Sequence, residues 1–366
     1  RGSYGHTGSV KFNSYQAIAT YLFSTSYLHY AGVGAVPMAI PNPDLTWQTT
    51  KKFNVGITSS LFGDRLNINA DYYRETTDDM LIDVSLPPSS GAGTVKNNYG
   101  KQKSYGVEFS VWGRIIQNRD WMWSVTATGL HSKSTILNIS DALKRKNEEN
   151  AAVNTETTPR LQYREGASPT TIWAVRSAGI DPASGKEIFI KQDGSYTYDY
   201  DTADQVACGD KNPKLQGTIS SMLTYKNLSL NINFSYRFGG NLYNDTRMAK
   251  VESIDPQKNV DERAFTDRWK QPGDVSPYLA IKYNAESTSQ SYFYTDRFVE
   301  KDNELLLSSV TLQYNVPQKV VNNLGLQRLY VSAGAEDLFR LTSAKYERGT
   351  TYPFSRSVNL SLSLTL

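Results

Sequence analysis

Apolar and polar residues alternate one for one along three separated stretches of this chain. The first is Leu66-Asn67-Ile68-Asn69-Ala70-Asp71-Tyr72, the second runs from Leu228 to Phe238, and the third from Val358 to Leu366. Successive side chains of a strand point to opposite faces, so each stretch carries one apolar and one polar face. The polar faces are rich in Asn, Ser and Thr, whose side chains compete with helical hydrogen bonding. The pattern predicts strands near 51–62, 65–81, 103–116, 121–136, 161–177, 186–198, 214–225, 227–242, 304–316, 326–340 and 356–366. Several reach the roughly 9–11 residues that a tilted strand needs to cross a bilayer. Soluble strands run nearer 5–6 residues.

The connections come in two kinds. Gly63-Asp64, Gln117 to Asp120, Asp181 to Gly185 and Lys226-Asn227 are tight, whereas 83–102, 137–160, 199–213, 243–303 and 341–355 are long and polar. If the strand at 51–62 starts from the long-loop side, the tight turns and the segment 317–325 all fall on the other side. Bacterial outer-membrane barrels sort their connections in this way, with short periplasmic turns and longer extracellular loops. The expected fold is therefore all-β, a transmembrane antiparallel β-barrel. Two rivals stay open at this point. One is a passive porin-like channel. The other is a soluble carbohydrate-binding β-sandwich, whose apolar strand faces would point into a core rather than out to lipid.

Composition removes other classes. No run of about 18 apolar residues exists, which excludes a transmembrane helix. Hydrophobic residues are only 39% and mean hydropathy is −0.49, yet aromatics reach 12%, unlike a disordered chain. The net charge of +3, from 39 basic and 36 acidic residues, is too balanced for a nucleic-acid footprint. One cysteine, Cys208, rules out an internal disulfide framework, and His6, His29 and His131 lie too far apart for zinc spacing. The first residue is Arg1 and no signal peptide is present, so the chain reads as processed or as a piece of a longer one. Tyr72, Tyr73, Tyr105, Trp121, Trp123, Tyr225, Tyr236, Tyr314 and Tyr330 cluster near strand ends, as the aromatic girdles of a membrane barrel do.

Several motifs follow one another in family order. They are Arg1 to Gly5, Asn42-Pro43-Asp44-Leu45-Thr46-Trp47 through Gly56, Leu61 to Leu66, Asp71-Tyr72-Tyr73, Tyr105 to Glu108, Trp121 to Trp123, Glu165-Gly166, Gly179 to Gly185, Gly239 to Asn244, Val310 to Pro317 and Asp337 to Phe339. Together they resemble the SusC/RagA-like TonB-linked outer-membrane transporters across almost the whole chain. The resemblance implies about half, roughly 11–12 strands, of a 22-strand barrel around a plugged lumen. It divides the chain into a strand stub and extracellular loop (1–50), barrel strands (51–242), a long extracellular loop (243–303) and the last barrel strands (304–366). The plug and the TonB-contacting segment are expected to be absent, as in a C-terminal portion. The implied location is the outer membrane of a Bacteroidetes-like Gram-negative cell, in contact with its lipid. The implied activity is import of glycan oligosaccharides, or peptides, without enzyme chemistry or cofactor. Its implied partners are a SusD-like surface lipoprotein and the TonB–ExbB–ExbD complex, reached through the absent part. Departures from the family pattern at Glu304 to Ser309, at Tyr346-Glu347-Arg348-Gly349 and at Leu366 leave subfamily and substrate open.

No stretch carries catalytic chemistry. Asp199, Asp201, Asp204 and Asp210 supply acidic oxygens but not the calcium-loop spacing, so solvated turns are the plain reading. Asp78-Asp79 and Glu148-Glu149 read alike, and Leu143 to Asn150 predicts a short solvated helix. The best binding candidates lie in 243–303, where a further short helix is expected between Val260 and Trp269. They are Trp269, Tyr278, Tyr292, Phe293 and Tyr294, which suit stacking on sugar C–H faces, and Arg263 and Arg268, which suit hydroxyls or partner carboxylates. The competing reading is that these aromatics pin a long loop to its own small core. Shortening 255–290 is expected to spare barrel assembly, because closure entropy changes only with the logarithm of loop length.

Overall fold

The computed structural model describes residues 1–9, 20–30, 32–39, 42, 45–85, 94–98, 100–152, 159–254, 260–281, 292–344 and 356–365. Pro43, Asp44, Tyr346 to Gly349, Leu366 and the parts 255–259 and 282–291 of the long loop lie outside the described residues. In chain order the strands are β1 (Gly2–Ser9), β2 (Thr20–His29), β3 (Gly32–Ala39), β4 (Gln48–Leu61), β5 (Leu66–Asp78), β6 (Leu81–Ser85), β7 (Thr94–Asn98), β8 (Lys101–Gln117) and β9 (Trp121–Asn138). They continue with β10 (Thr171–Ile180), β11 (Glu187–Ile190), β12 (Tyr196–Thr197), β13 (Gln205–Asp210), β14 (Leu215–Tyr225), β15 (Leu228–Tyr243), β16 (Val299–Asn315), β17 (Arg328–Thr342) and β18 (Ser357–Thr365). The α-helices among the described residues are α1 (Asp141–Ala152), α2 (Asp245–Arg247), α3 (Arg263–Thr266) and α4 (Gln318–Asn323). The expected helices in 143–150 and 260–269 are thus α1 and α3.

Ten strands form one antiparallel sheet in the order β1-β4-β5-β8-β9-β14-β15-β16-β17-β18. Neighbours in this wall are neighbours in sequence once the long connections are set aside, as in an up-and-down barrel. Wall strands β8 and β9 have 17 and 18 residues, well beyond the roughly 9–11 that span the bilayer, so their loop-side ends stand clear of it.

Register settles which face each residue takes. Residues paired across an antiparallel ladder share a face. Leu230 pairs with Leu223 and Leu312, Ile232 with Ser221 and Val310, while Asn233 pairs with Ser220 and Ser309. Carried round the sheet, Ile57, Ala70, Phe109, Leu312, Ala333 and Leu360 fall on one face. The other face carries Asn69, Glu108, Thr128, Thr218, Asn231 and Ser361. Ile57, Leu360 and Leu362 are 69%, 78% and 64% exposed, so nothing among the described residues covers the apolar face there. A sandwich would bury that face against a second sheet, and this one does not. The polar face satisfies itself: Ser220 Oγ donates to Asn233 Oδ1 at 2.6 Å, and Asn233 Nδ2 to Ser309 Oγ at 2.9 Å.

Three expectations need correction. The strands expected at 161–177 and 186–198 are not in the wall. They lie in a separate four-stranded sheet, β12-β11-β10-β13, inside one long connection between β9 and β14. Thr171 to Val175 are all buried, so β10 has both faces covered and no lumen face. Asp181 to Gly185 is accordingly a turn of that small sheet, not a periplasmic turn. Removing a pair keeps the loop sorting intact. The stretches 83–102 and 199–213 are also more regular than expected, holding the β6–β7 hairpin and β13. Among the girdle aromatics, Tyr72, Tyr105, Trp121, Trp123, Tyr225, Tyr236 and Tyr314 share the apolar face, but Tyr73 and Tyr330 pair with Gly106 and Asn315 on the polar one.

Candidate functional site

The polar face of the wall lines an open cavity of about 690 Å³. Its chemistry comes from Asn69, Asp71, Glu108, Thr128, Gln216, Arg237 and Glu304, contributed by six different wall strands. Arg237 organises the upper part. Its Nε lies 3.1 Å from Asp302 Oδ2 and its Nη2 3.3 Å from Glu304 Oε2, while Arg340 Nε reaches the same Glu304 oxygen at 3.5 Å. Lower down, Thr128 and Thr218 share a hydroxyl hydrogen bond of 2.8 Å. The surface is rich in acceptors and hydroxyls and suits a polar solute. Register puts His131 and His6 on the apolar face, outside the cavity, where His131 Nδ1 bonds the Lys214 carbonyl and His6 Nε2 meets Tyr4 OH. Among the described residues no group of three His, Cys, Asp or Glu side chains is placed to hold a metal ion. Of the suspected calcium cluster, Asp201 caps a turn through Ala203 N, Asp204 accepts from Gln192 N, and Asp210 accepts from Thr170 and Asn212.

Above the wall, the two longest connections fold together. Ile172 and Ala174 of β10 pack with Tyr243, Met248, Val251, Tyr278, Tyr294 and Phe298 in one buried cluster. The β10–β13 sheet and the segment 244–298 therefore share a core, and neither is an appendage of the other. Arg297 clamps them. It donates to both oxygens of Glu187, at 2.7 and 2.9 Å, and to Glu252 Oε1 at 2.8 Å. Glu187 also accepts from Thr295 Oγ1 at 2.8 Å. Burial works against the Arg297 cation, but the two carboxylates outweigh it and hold its pKa above the ordinary value. Burial raises Glu252, whose second oxygen has no hydrogen-bond partner among the described residues. The Cys208 thiol is pushed up to about 11, mainly by burial, and so is unreactive near neutrality.

The residues expected to bind substrate or partner divide between this core and its rim. Tyr294 is 1% exposed and Tyr278 7%, so both rings are core, not stacking platforms. Arg268 is 4% exposed, and its Nη atoms donate to the carbonyls of Leu279, Val251 and Glu252. These three side chains lie in the core of the loop, where Arg268 bonds its backbone carbonyls. Tyr292 packs half-buried against the same cluster. Phe293 stacks on Tyr200 with centroids 4.3 Å apart. Trp269 is half-buried and donates from Nε1 to Pro182 O at 2.8 Å. Arg263 pairs with Asp261 at 2.7 Å, and that bond first, with the Arg263 N–H second, holds the Asp261 carboxyl down at about 2.

The wall charges Asp71, Glu108, Arg237 and Glu304 line the cavity and are candidate residues that no sequence motif marks. Parity was the available signal. Each sits where the two-residue alternation demands the polar face, so a charge there points into the lumen. The Glu187–Arg297–Glu252 clamp had no such signal, because its members lie 110 and 45 residues apart.

A long-stranded sheet with one bare apolar face, one polar face and its elaborate loops on one side has the architecture of an outer-membrane β-barrel. The sequence profile described as "TonB dependent receptor-like, beta-barrel" matches residues 1–247. The chain belongs to that family, as a SusC/RagA-like barrel portion located in the outer membrane. It is 27% identical to TonB-dependent receptor P3 of Formosa agariphila over 91% of this chain and 34% of that protein. It is 26% identical to TonB-dependent receptor SusC of Bacteroides thetaiotaomicron over 75% of this chain and 26% of that protein. The fold matches a solved structure of the RagAB peptide transporter with a TM-score of 0.76 at 24% identity, over 94% of this chain and 37% of that one. The chain thus spans about a third of the length of the relatives it matches.

Proposed function

We propose that this chain supplies the substrate-contacting wall and part of the extracellular roof of an energy-coupled importer for glycan oligosaccharides, working with a SusD-like surface lipoprotein. The observation that carries the reading is the continuous polar inner face, whose paired hydroxyls, amides and carboxylates line the 690 Å³ cavity. Sugar hydroxyls both donate and accept, and Asn, Thr and carboxylate rows answer them repeatedly along the wall. No bond-making step is needed. The wall passes solute, and the energy arrives through TonB and a plug supplied elsewhere in the full-length protein. Of the residues expected to bind, Trp269 and Arg263 are only partly buried and are assigned contact with substrate or lipoprotein. Arg268, Tyr278 and Tyr294 are assigned the holding role.

A second reading, a peptide importer, is favoured by the likeness to RagAB, whose solved structure is named as a peptide transporter. The Glu108 carboxylate, which has no ion pair among the described residues, would also receive a peptide amino group. Binding of oligosaccharides and of oligopeptides to the purified full-length transporter separates the two. Oligosaccharide binding that weakens roughly tenfold in Glu108→Ala, the loss of one charge-assisted bond, supports the first reading. Peptide binding alone supports the second, and binding of neither removes both.

A further inference from the structure

On β4, β5, β8 and β9 the apolar face carries cations at its loop-side end. In the ladder of β4, β5, β8 and β9 the row Lys51, Thr76, Lys103, Thr135 stands directly above the row Phe53, Arg74, Tyr105, Lys133. Below these come Val55, Tyr72, Val107, His131 and then Ile57, Ala70, Phe109, Gly129. Lys51, Arg74, Lys103 and Lys133 therefore share the lipid-facing side on four adjacent strands. At about 4.8 Å between strands, the patch is roughly 15 Å wide.

Its height follows from the girdle. Trp121 and Tyr225 mark the short-turn border, with ring centroids 4.4 Å apart. Lys133 is about twelve residues up the same strand, roughly 40 Å of chain or 30 Å of height at a tilt near 40°. The lipid-facing apolar band is about 25 Å tall, so the cations stand just above it, at headgroup level on the outer side. The carboxylate that this face presents at that height, Asp78, is engaged by Lys101 at 2.9 Å and Lys51 at 3.5 Å. Arg74 and Lys103 and Lys133 have no ion pair among the described residues; Lys103 lies 6.0 Å from the Tyr105 ring centroid.

We infer that Arg74, Lys103 and Lys133 form a headgroup site for a lipid that carries phosphate groups in the outer leaflet. Charge complementarity selects the occupant. A phosphate satisfies several cations through charge-assisted hydrogen bonds, Arg in a bidentate manner, while the acyl chains lie on Val55, Val107 and Phe109 directly below. A free anion would gain the charges but nothing from that apolar surface.

The test uses the full-length transporter, purified and stripped of lipid. A glycolipid bearing two phosphates, the same glycolipid without them, and inorganic phosphate are added in turn, and retention is read by native mass spectrometry. The phosphorylated lipid is expected to be retained at least tenfold better than its phosphate-free form, with the difference collapsing in the R74Q/K103Q/K133Q variant and at high salt. Equal retention of the two lipids by the wild-type protein overturns the inference. So does displacement of the lipid by inorganic phosphate at matched concentration. If the triple variant does not assemble, the single K133Q and K133E variants are expected to show a graded loss, and unchanged retention in both overturns the inference equally.

Discussion

At the residue scale, one step along a wall strand changes the solvent. Ile232 and Asn231 are chain neighbours, yet register puts Ile232 on the bare apolar face with Val310 and Asn231 on the lumen face with Thr311. In the full-length transporter, Ile232→Arg is expected to destabilise the barrel by about 2–4 kcal/mol near the bilayer midplane, and Asn231→Arg by little. Denaturant unfolding of both variants in lipid vesicles checks this. A second residue-scale prediction concerns Asp296. Burial raises its pKa, opposed by the bond from Ser177 N–H to its Oδ1 at 2.8 Å. A carboxyl raised on folding stabilises fully below the unfolded value near 3.9, and that contribution is lost as pH rises through the folded value. Asp296→Asn keeps an acceptor for Ser177 but cannot ionise. Amide exchange in β10 is expected to be slower in this variant than in wild type at neutral pH, with the gap closing near pH 3.

At the element scale, the wall and the module above it follow different rules; the sequence shows the wall strands and the short helices α1 and α3, but not the packing of the module. Leu228 to Phe238 alternates because one face meets lipid and the other water. Period two is therefore written into the residues themselves. In β10, Ile172-Trp173-Ala174-Val175 is a continuous apolar run, the mark of a strand covered on both faces. Counting strands without asking whether they alternate placed 161–198 in the wall. The aromatics of 292–294 could not be sorted from sequence, because ring type does not say whether a ring meets ligand or core. Contacts with Ile172 and Gln205, more than 80 residues away, decide that. The shared core also changes what a loop deletion would do. Shortening 255–290 removes Arg268 and Tyr278 from the cluster that holds β10, so loss of import would not identify a binding loop. Point variants are cleaner. Arg297→Ala leaves Glu187 and Glu252 buried without their cation and is expected to cost the module about 3–5 kcal/mol. Gly185 has φ +67°, and a Cβ there would lie 2.5 Å from the Trp269 ring. Gly185→Ala is expected to cost about 1–3 kcal/mol from backbone strain, before any clash with the ring. Both variants should expose the module to protease while the wall stays folded.

At the scale of the whole molecule, the account rests on one claim: the ten-stranded sheet is a membrane wall whose apolar face meets lipid and whose polar face lines a transport lumen. Loop sorting, girdle, cation border and cavity all follow from that assignment, and the importer reading depends on it. Single cysteines at positions 230 to 234, in a full-length background lacking other cysteines, test it most directly. Each would carry an environment-sensitive fluorophore in reconstituted vesicles, with one quencher confined to the lipid acyl chains and another confined to water. The account predicts strict alternation: lipid-phase quenching at 230, 232 and 234, and water-phase quenching at 231 and 233. Uniform quenching by either phase along the strand, or alternation of the opposite sense, would contradict it.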